Sequence, residues 1–468
     1  MSYVKQLVSQ LFKNNNISIP ANRTGLFDKF LQDEQTIQAA TRIIENQKEL
    51  MAKWKQEDRI AEITGQPVRL LNATVGKPYE AKFDFEKFNW KDITNFQFEG
   101  LEQVGLVYDE KTRQITGVPT QSGDINFIFK FKVDGQPEEV PFTEKPITLI
   151  INPDPKSLWK NLPSDQNDPY WKEDNVTVMA PLSNRHILVS SKRGRSHANV
   201  GSFREDDFAF SDMENGWSMV VVADGAGSAK LSRKGSAIAC QGIVDYFKEP
   251  SSVESMVEFD ELVQQHADNT GDDTQKKLNR FVYNNLGKAA FSVHKQLETF
   301  AKKEGITLKD LSSTLIFTLF KKYKVGYAFL SFGVGDCPIA VLNKDISEVT
   351  MMNWLDVGEF GGGTRFITMP EIFQSEKFAT RFGFKLIQDY SYLIMMSDGI
   401  YDPKFVVEAN LPNIEKWKEF LADLKGKNED GVKVEFRTHN PNIKEQFSRW
   451  MDFWSPGNHD DRTLAIVF

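Results

Sequence analysis

Apolar residues along the first part of the chain recur at helical spacing. Phe27, Phe30 and Leu31, then Ile37, Ala40, Ile43 and Ile44, fall three and four apart, and IIENQKELMAKWKQEDR continues the pattern with mixed charges. Such a period predicts amphipathic helices, so residues 1–62 are read as a helical region that packs on a neighbouring domain or on a protein partner. From about Gly65 the period shortens. Runs such as INFIFKFKV and PITLIIN are separated by turn signals at Gly76-Lys77-Pro78, Asp109-Glu110-Lys111 and Ser122-Gly123-Asp124. These predict a small all-β sandwich over residues 65–153. PDPKSLWKNLPSDQNDP, rich in Pro, Asp and Asn, reads as a linker over residues 154–174. In residues 175–468 buried-type strands alternate with helical stretches. TLIFTLFKK, VGYAFLSFG and PIAVLNKD read as a meander, and residues 412–425 and 440–454 as helices.

A chain of 468 residues exceeds one ordinary core and implies several domains. No run approaches the roughly 18 apolar residues of a membrane span, and the N-terminus lacks the features of a signal peptide. Two cysteines, Cys240 and Cys337, exclude a disulfide scaffold and point to a reducing cytoplasm. Six histidines occur without H-E-x-x-H or C-x-x-C, so zinc has no support. A net charge of −8 argues against a nucleic-acid partner, which needs a concentrated basic face.

Where the acids lie changes the picture. WSMVVVADGAGSA carries a buried-type strand into Asp224-Gly225, and YLIMMSDGIYD carries another into Asp398-Gly399, with Asp402 four residues on. FLSFGVGDCPIAVL places Gly335-Asp336 in a tight turn between strands, and GNHDDRTLAIVF sets Asp460 and Asp461 before the final strand. A carboxylate beside buried apolar strands is costly unless paired or ligating a cation. Several converging from distant points repel one another unless a hard cation such as Mg²⁺ or Mn²⁺ takes their oxygens.

Two resemblances follow. YDEKTRQITGVPTQSGDINFIFKFKV resembles the strand–turn–strand signature of bacterial immunoglobulin-like or cadherin-like modules, which usually bind or space other domains. SFREDDFAF, VVADGAGSA, LSSTLIF, GVGDCPIAV, MMSDGIYD and DDRTLAIVF resemble, in order, the motifs of metal-dependent serine/threonine protein phosphatases of the type 2C family. That second resemblance implies an α+β phosphatase domain over residues 175–468, an antiparallel β-sandwich flanked by helices. It implies two Mn²⁺ or Mg²⁺ ions, with a weaker third site in some members. Asp224 resembles the bridging ligand, with the Gly225 carbonyl as a further ligand, and Asp398 and Asp460 the other direct ligands. Glu205 resembles the residue holding metal-bound water, and Asp206 its supporting neighbour. Asp336 and Asp402, with Asp398, match the third site. The implied reaction is direct attack of a metal-bridging hydroxide on phosphoserine or phosphothreonine, without a phosphoenzyme. A phosphoprotein substrate and a cognate Ser/Thr kinase are the implied partners.

The chain also departs from the family pattern. The histidine of D-G-H-G-G is Ala226, the second glycine is Ser228, a phosphate-gripping arginine is replaced by Gly201, and D-N-x-T reads D-D-R-T. With GRSH and GEFGGGTRF, these resemble a divergent bacterial branch. His197 either supplies the missing acid or contacts phosphate, or is a surface or structural histidine. Arg195 and Arg204 are candidate phosphate ligands, since a guanidinium fork matches phosphate oxygens, or solvated side chains. Arg193 adds local positive charge, and Arg462 neutralises surplus carboxylate. The rival reading is a pseudophosphatase or phosphoprotein-binding scaffold.

Overall fold

A computed structural model describes residues 2–268, 273–356 and 363–468. It divides into two compact units, Met1–Leu158 and Trp159–Phe468.

In the first unit the helical period yields α1 (Ser2–Asn14), α2 (Thr24–Gln32) and the long α3 (Glu34–Gly65). The Asp33 side chain caps α3 by accepting from the Thr36 amide, satisfying a donor the helix itself cannot. Seven strands follow: β1 (Ala73–Thr74), β2 (Tyr79–Lys82), β3 (Ile93–Glu99), β4 (Leu106–Asp109), β5 (Gln114–Gly117), β6 (Gly123–Val133) and β7 (Thr143–Asn152). They form a four-stranded sheet, β1-β7-β6-β3, and a three-stranded one, β2-β5-β4. Alternate residues of both sheets, among them Ala81, Leu106, Ile115, Phe127, Phe129, Ile147 and Leu149, share one core. Phe129 is central: Trp90 stacks on it at 5.5 Å and Phe83 meets it at 5.5 Å. Arg59 of α3 reaches across to Asp92, its Nε 2.8 Å from the carboxylate.

In the second unit the strands are β8 (Asn175–Leu182), β9 (Arg185–Lys192), β10 (Asp207–Asp212), β11 (Ser218–Ala223), β12 (Leu315–Tyr323), β13 (Gly326–Val334), β14 (Ile339–Asn343), β15 (Val349–Met351), β16 (Phe382–Ile387), β17 (Tyr390–Met396) and β18 (Arg462–Val467). The helices are α4 (Arg195–Val200), α5 (Ser232–Lys248), α6 (Pro250–Ala267), α7 (Thr274–Glu304), α8 (Glu371–Gln374), α9 (Asp398–Phe405), α10 (Ile414–Leu424) and α11 (Ile443–Trp450). The last two match the helices expected there. One sheet runs β10-β11-β12-β13-β16, the other β15-β14-β17-β18-β9-β8. Their strands are apolar on both faces because both faces are covered. Val220, Val222, Ile316, Val189, Met395 and Ala465 meet between the sheets. Met219, Val221, Phe317 and Leu330 face α5–α7. Leu188, Ile394, Met396 and Leu464 face α9–α11 around Trp417 and Trp450. The result is four layers, helix–sheet–sheet–helix.

Two expectations change here. The meander stops after β13: β12 and β13 pair in one sheet, whereas β14 pairs with β17 in the other. The chain therefore crosses between sheets at Gly335–Asp336. Residues 159–174, read as part of a linker, belong to the second unit. Their polar groups bond to it: Leu162 N donates to the Ala198 carbonyl at 2.9 Å, and Arg233 holds Asp168 at 2.9 Å. Most of GEFGGGTRF lies outside the described residues. No described helix is long and apolar enough to cross a membrane.

Candidate metal centre

Strand register brings the acidic motifs to one end of the sandwich. Asp207 pairs with Ala223, Leu315 with Val334, Ile339 with Met395, and Arg462 with Lys192. The residues just beyond these ends are Glu205–Asp206, Asp224, Asp336, Asp398 and Asp460–Asp461. Asp402 follows Asp398 by one turn of α9, on the same face.

Local hydrogen bonds and close approaches fix the strand ends that carry these acids. The Asp224 amide donates to Thr314 Oγ1 at 2.8 Å, and the Thr314 amide donates back to the Asp224 carbonyl at 2.7 Å, which gives the LSST element its role. A Cβ at Gly225 would lie 2.6 Å from the Glu205 carbonyl oxygen, so only glycine lets these two strand ends approach. Ser397 opens α9 and its hydroxyl accepts from the Thr463 amide at 2.9 Å. Thr364 Oγ1 donates to Asp336 at 2.7 Å.

Asp461 is the acid whose role the sequence did not reveal. It is buried. Its Oδ1 accepts from His197 Nδ1 at 3.0 Å and from the Gly194 amide at 2.5 Å. Its Oδ2 accepts from the amides of Glu205 and Asp206. Burial alone would raise its pKa, but His197 and these N–H groups hold it below the usual carboxylate range. The converse applies to His197. Burial opposes its charge, yet the Asp461 hydrogen bond and the neighbouring Glu205 and Asp460 hold it up at about 9. Its other nitrogen, Nε2, lies 3.9 Å from Glu205 Oε2, beside Gly227 of the D-G-A-G loop.

The other acids are pushed the opposite way. Burial, then the Asp461 charge, lifts Asp206 to about 7. The Ser397 and Thr463 hydroxyls moderate this: Ser397 Oγ accepts from the Thr463 amide, which leaves its own proton to donate, and Thr463 Oγ1 also meets Ser191 Oγ. Burial likewise lifts Glu205 to about 7. Asp224 stands well above the carboxylate range through burial and then the Asp398 charge, and Asp398 through burial and then the Asp460 and Asp336 charges, with Asp224 opposing the rise. Asp336, Asp402 and Asp460 are raised by burial and by neighbouring acids or their own surroundings. Glu205 Oε2, both Asp206 oxygens and Asp398 Oδ1 are buried with no hydrogen-bond partner among the described residues. Orphaned buried carboxylate oxygens that repel one another fit hard divalent cations, which take oxygen ligands.

Among the described residues, the group of three whose ligand atoms all lie within 4.8 Å is His197, Asp460 and Asp461, not Asp224, Asp398 and Asp460. The former group is already satisfied internally through Asp461. The orphaned oxygens mark the better cation site.

The arginines are placed differently from expectation. Arg204 is buried, donating from Nε to the Glu173 carbonyl at 2.9 Å and from Nη1 to Ser191 Oγ and the Asp206 carbonyl. Arg195 donates to the Asp452 carbonyl at 2.6 Å and lies over Trp454. Arg193 does not merely add charge: it is buried and binds Asp174, Asn161 and the Leu162 carbonyl. Arg462 turns away from the acids to the carbonyls of Met451 and Phe453. Cys240 and Cys337 are both buried.

A two-sheet sandwich with helices outside and carboxylates gathered at one end defines a cation-binding class of site. The model of protein phosphatase 2C matches residues 193–438, more than half of the chain, and the chain belongs to that family. The matched span includes Glu205, Asp206, Asp224, Asp336, Asp398 and Asp402 but stops before Asp460 and Asp461. Similar solved structures include a bacterial serine phosphatase at 14% identity, covering 60% of this chain and 96% of that one with a TM-score of 0.36. They also include the catalytic domain of the serine/threonine phosphatase PstP with two manganese ions, at 15% identity, 62% and 98% coverage and a TM-score of 0.34. Stp1 from Staphylococcus aureus aligns at 13% identity, 63% and 98% coverage and a TM-score of 0.33. A search of curated proteins finds no match.

Proposed function

We propose that the second unit hydrolyses phosphoserine and phosphothreonine in proteins, with Mn²⁺ or Mg²⁺ held by Asp224, the Gly225 carbonyl, Asp398 and Asp460, Glu205 holding cation-bound water with Asp206 as its supporting neighbour, and a weaker site at Asp336 and Asp402. The observation that carries this reading is the set of orphaned buried carboxylate oxygens at one end of the sandwich. Such cations, when bound, neutralise phosphoryl oxygens and acidify water.

The chain's own residues supply positioning and a proton. Asp461 fixes the His197 ring through Nδ1, leaving Nε2 to carry a proton toward the acidic mouth. His197 thereby takes the place of the histidine that Ala226 lacks, giving its Nε2 proton to the departing serine or threonine oxygen. Arg204, with Nε and Nη1 committed to protein acceptors, is a positioning residue. Arg195, partly exposed, is the better phosphate contact. A phosphoprotein is the substrate, and a Ser/Thr kinase its natural counterpart. The immunoglobulin- or cadherin-like reading of residues 65–153 is supported by two sheets sharing one core, and assigns that module to binding or spacing.

The test is Mn²⁺-dependent hydrolysis of a phosphothreonine peptide by the intact protein and by Asp398→Asn. Chelator-sensitive turnover lost in the variant supports the phosphatase. Cation binding without turnover supports the phosphoprotein-binding reading, which Ala226 favours.

A further inference from the structure

We infer that Lys172, contributed by a segment preceding the family-matched residues, is a positioning residue for the acidic site; this rests on the cation-binding reading above. The two carboxylates concerned have little to orient them. Both oxygens of Asp206 and one of Glu205 lack hydrogen-bond partners among the described residues. Beyond the nearby hydroxyls of Ser397 and Thr463 for Asp206 and of Ser232 for Glu205, their direction is set by their main chain, so whatever grips that main chain helps to aim the oxygens.

The grip comes from two sides. On the amide side, the Asp461 carboxylate accepts from the N–H groups of Glu205 and Asp206. On the carbonyl side, Lys172 Nζ donates to the Asp206 carbonyl at 2.7 Å, which it shares with Arg204 Nη1 at 2.6 Å, and it alone among the described cations approaches the Glu205 carbonyl, at 3.4 Å. The same ammonium meets Asp207 Oδ2 at 3.0 Å and Ser236 Oγ at 3.2 Å, so its three N–H donors are fully used. Ser236 Oγ also donates to the Glu205 carbonyl. An anion on the amides and a cation on the carbonyls align with the dipoles of these peptide groups, and charge-assisted bonds of this kind are the strong ones.

The segment that delivers Lys172 is itself anchored. Lys160 N donates to Asn199 Oδ1 at 3.0 Å, Trp171 Nε1 to Ser164 Oγ at 3.0 Å, and Ser164 Oγ to Asp174 at 2.6 Å. Tyr170 reaches Glu304 at 2.8 Å. Lys172 thus arrives at a fixed place from a stretch whose composition reads as a tether.

Two roles for this cation make opposite predictions. If it only screens the neighbouring acids, Lys172→Met unmasks Asp207 and makes the site more negative, so cations bind more tightly. If it positions Glu205 and Asp206, the same change lets their main chain move and cations bind more weakly. The measurement is Mn²⁺ affinity by calorimetry on the full chain, with kcat and KM for a phosphothreonine peptide alongside. Lys172→Met is expected to weaken Mn²⁺ binding at least tenfold and to lower kcat with KM within about twofold. Lys172→Arg, which keeps charge and donors, should recover part of both. Unchanged or tighter Mn²⁺ binding in Lys172→Met overturns the proposal. Should that variant not fold, Lys172→Gln, which keeps donors without charge, is expected to bind Mn²⁺ several-fold more weakly, and wild-type affinity there overturns it equally. Wild-type protein that binds no Mn²⁺ would instead overturn the cation-binding reading, and this inference with it.

Discussion

Removing divalent cations should leave a protein whose stability falls as pH rises. Folding raises the pKa of Glu205 from 4.5 to about 7, through burial and neighbouring acids. A carboxylate raised in this way binds its proton more tightly folded than unfolded. Its contribution to stability is full below the unfolded value and is lost as pH climbs through the folded one. At about 1.4 kcal/mol per pH unit, Glu205 alone costs the cation-free protein roughly 3 kcal/mol by pH 7, about 2 kcal/mol of it between pH 5 and 6.5. Asp206, also lifted to about 7, acts in the same direction, as does His197 above pH 6.5. Confining the comparison to pH 5–6.5 therefore isolates the carboxylates. Urea unfolding followed by tryptophan fluorescence, in chelator and in saturating Mn²⁺, reads the difference, since Trp217, Trp417 and Trp450 are buried in the second unit. With Mn²⁺ the acid-favouring slope should vanish or reverse, because cations bind the ionised carboxylates. Cation-free stability that is flat or rises from pH 5 to 6.5, or equal slopes with and without Mn²⁺, would refute the reasoning.

Three further outcomes are expected. His197→Gln removes the Nε2 proton and should lower kcat about 10²–10⁴-fold on phosphothreonine, with the loss much smaller on an aryl phosphate whose leaving group needs no acid. An equal loss on both substrates contradicts the assignment. Gly399→Ala puts a Cβ 1.9 Å from the Asp461 carbonyl oxygen, so it should destabilise the second unit by more than about 3 kcal/mol, and a wild-type melting temperature would count against that packing. Phe129→Ala, at the centre of the first unit's core, should cost about 3–5 kcal/mol in that unit's urea transition; a change below about 1 kcal/mol would mean that the two sheets do not share this core.

Much of the second unit was legible along the chain because Asp224, Asp336 and Asp398 each follow the end of an apolar run. A strand buried on both faces reads as continuous hydrophobic sequence, and the D-G steps after Ala223 and Ser397 mark where it must stop. The period change near Gly65 separated helices from strands for the same reason: side-chain direction repeats every 3.6 residues in one and every two in the other. These are local properties, set by neighbouring residues.

What only the tertiary structure decided involves charges whose partners are main-chain atoms far away. Lys172 and Arg193 sit in or beside polar sequence and look solvated, yet both are engaged with the backbone, of Glu205–Asp206 and of Leu162 respectively. Arg462, adjacent to two aspartates, bonds instead to carbonyls at 451 and 453. Asp461 looked like a second copy of Asp460, but its two oxygens collect N–H groups from three separate residues and His197. The crossing between sheets at Gly335–Asp336 likewise depends on which strand β14 finds beside it. Every peptide group offers the same carbonyl and amide, so a sequence carries no mark of which backbone a buried charge will meet. That choice is made when the strand ends come together, and here it sorts the acids into those that hold the site and those left with free oxygens for a cation.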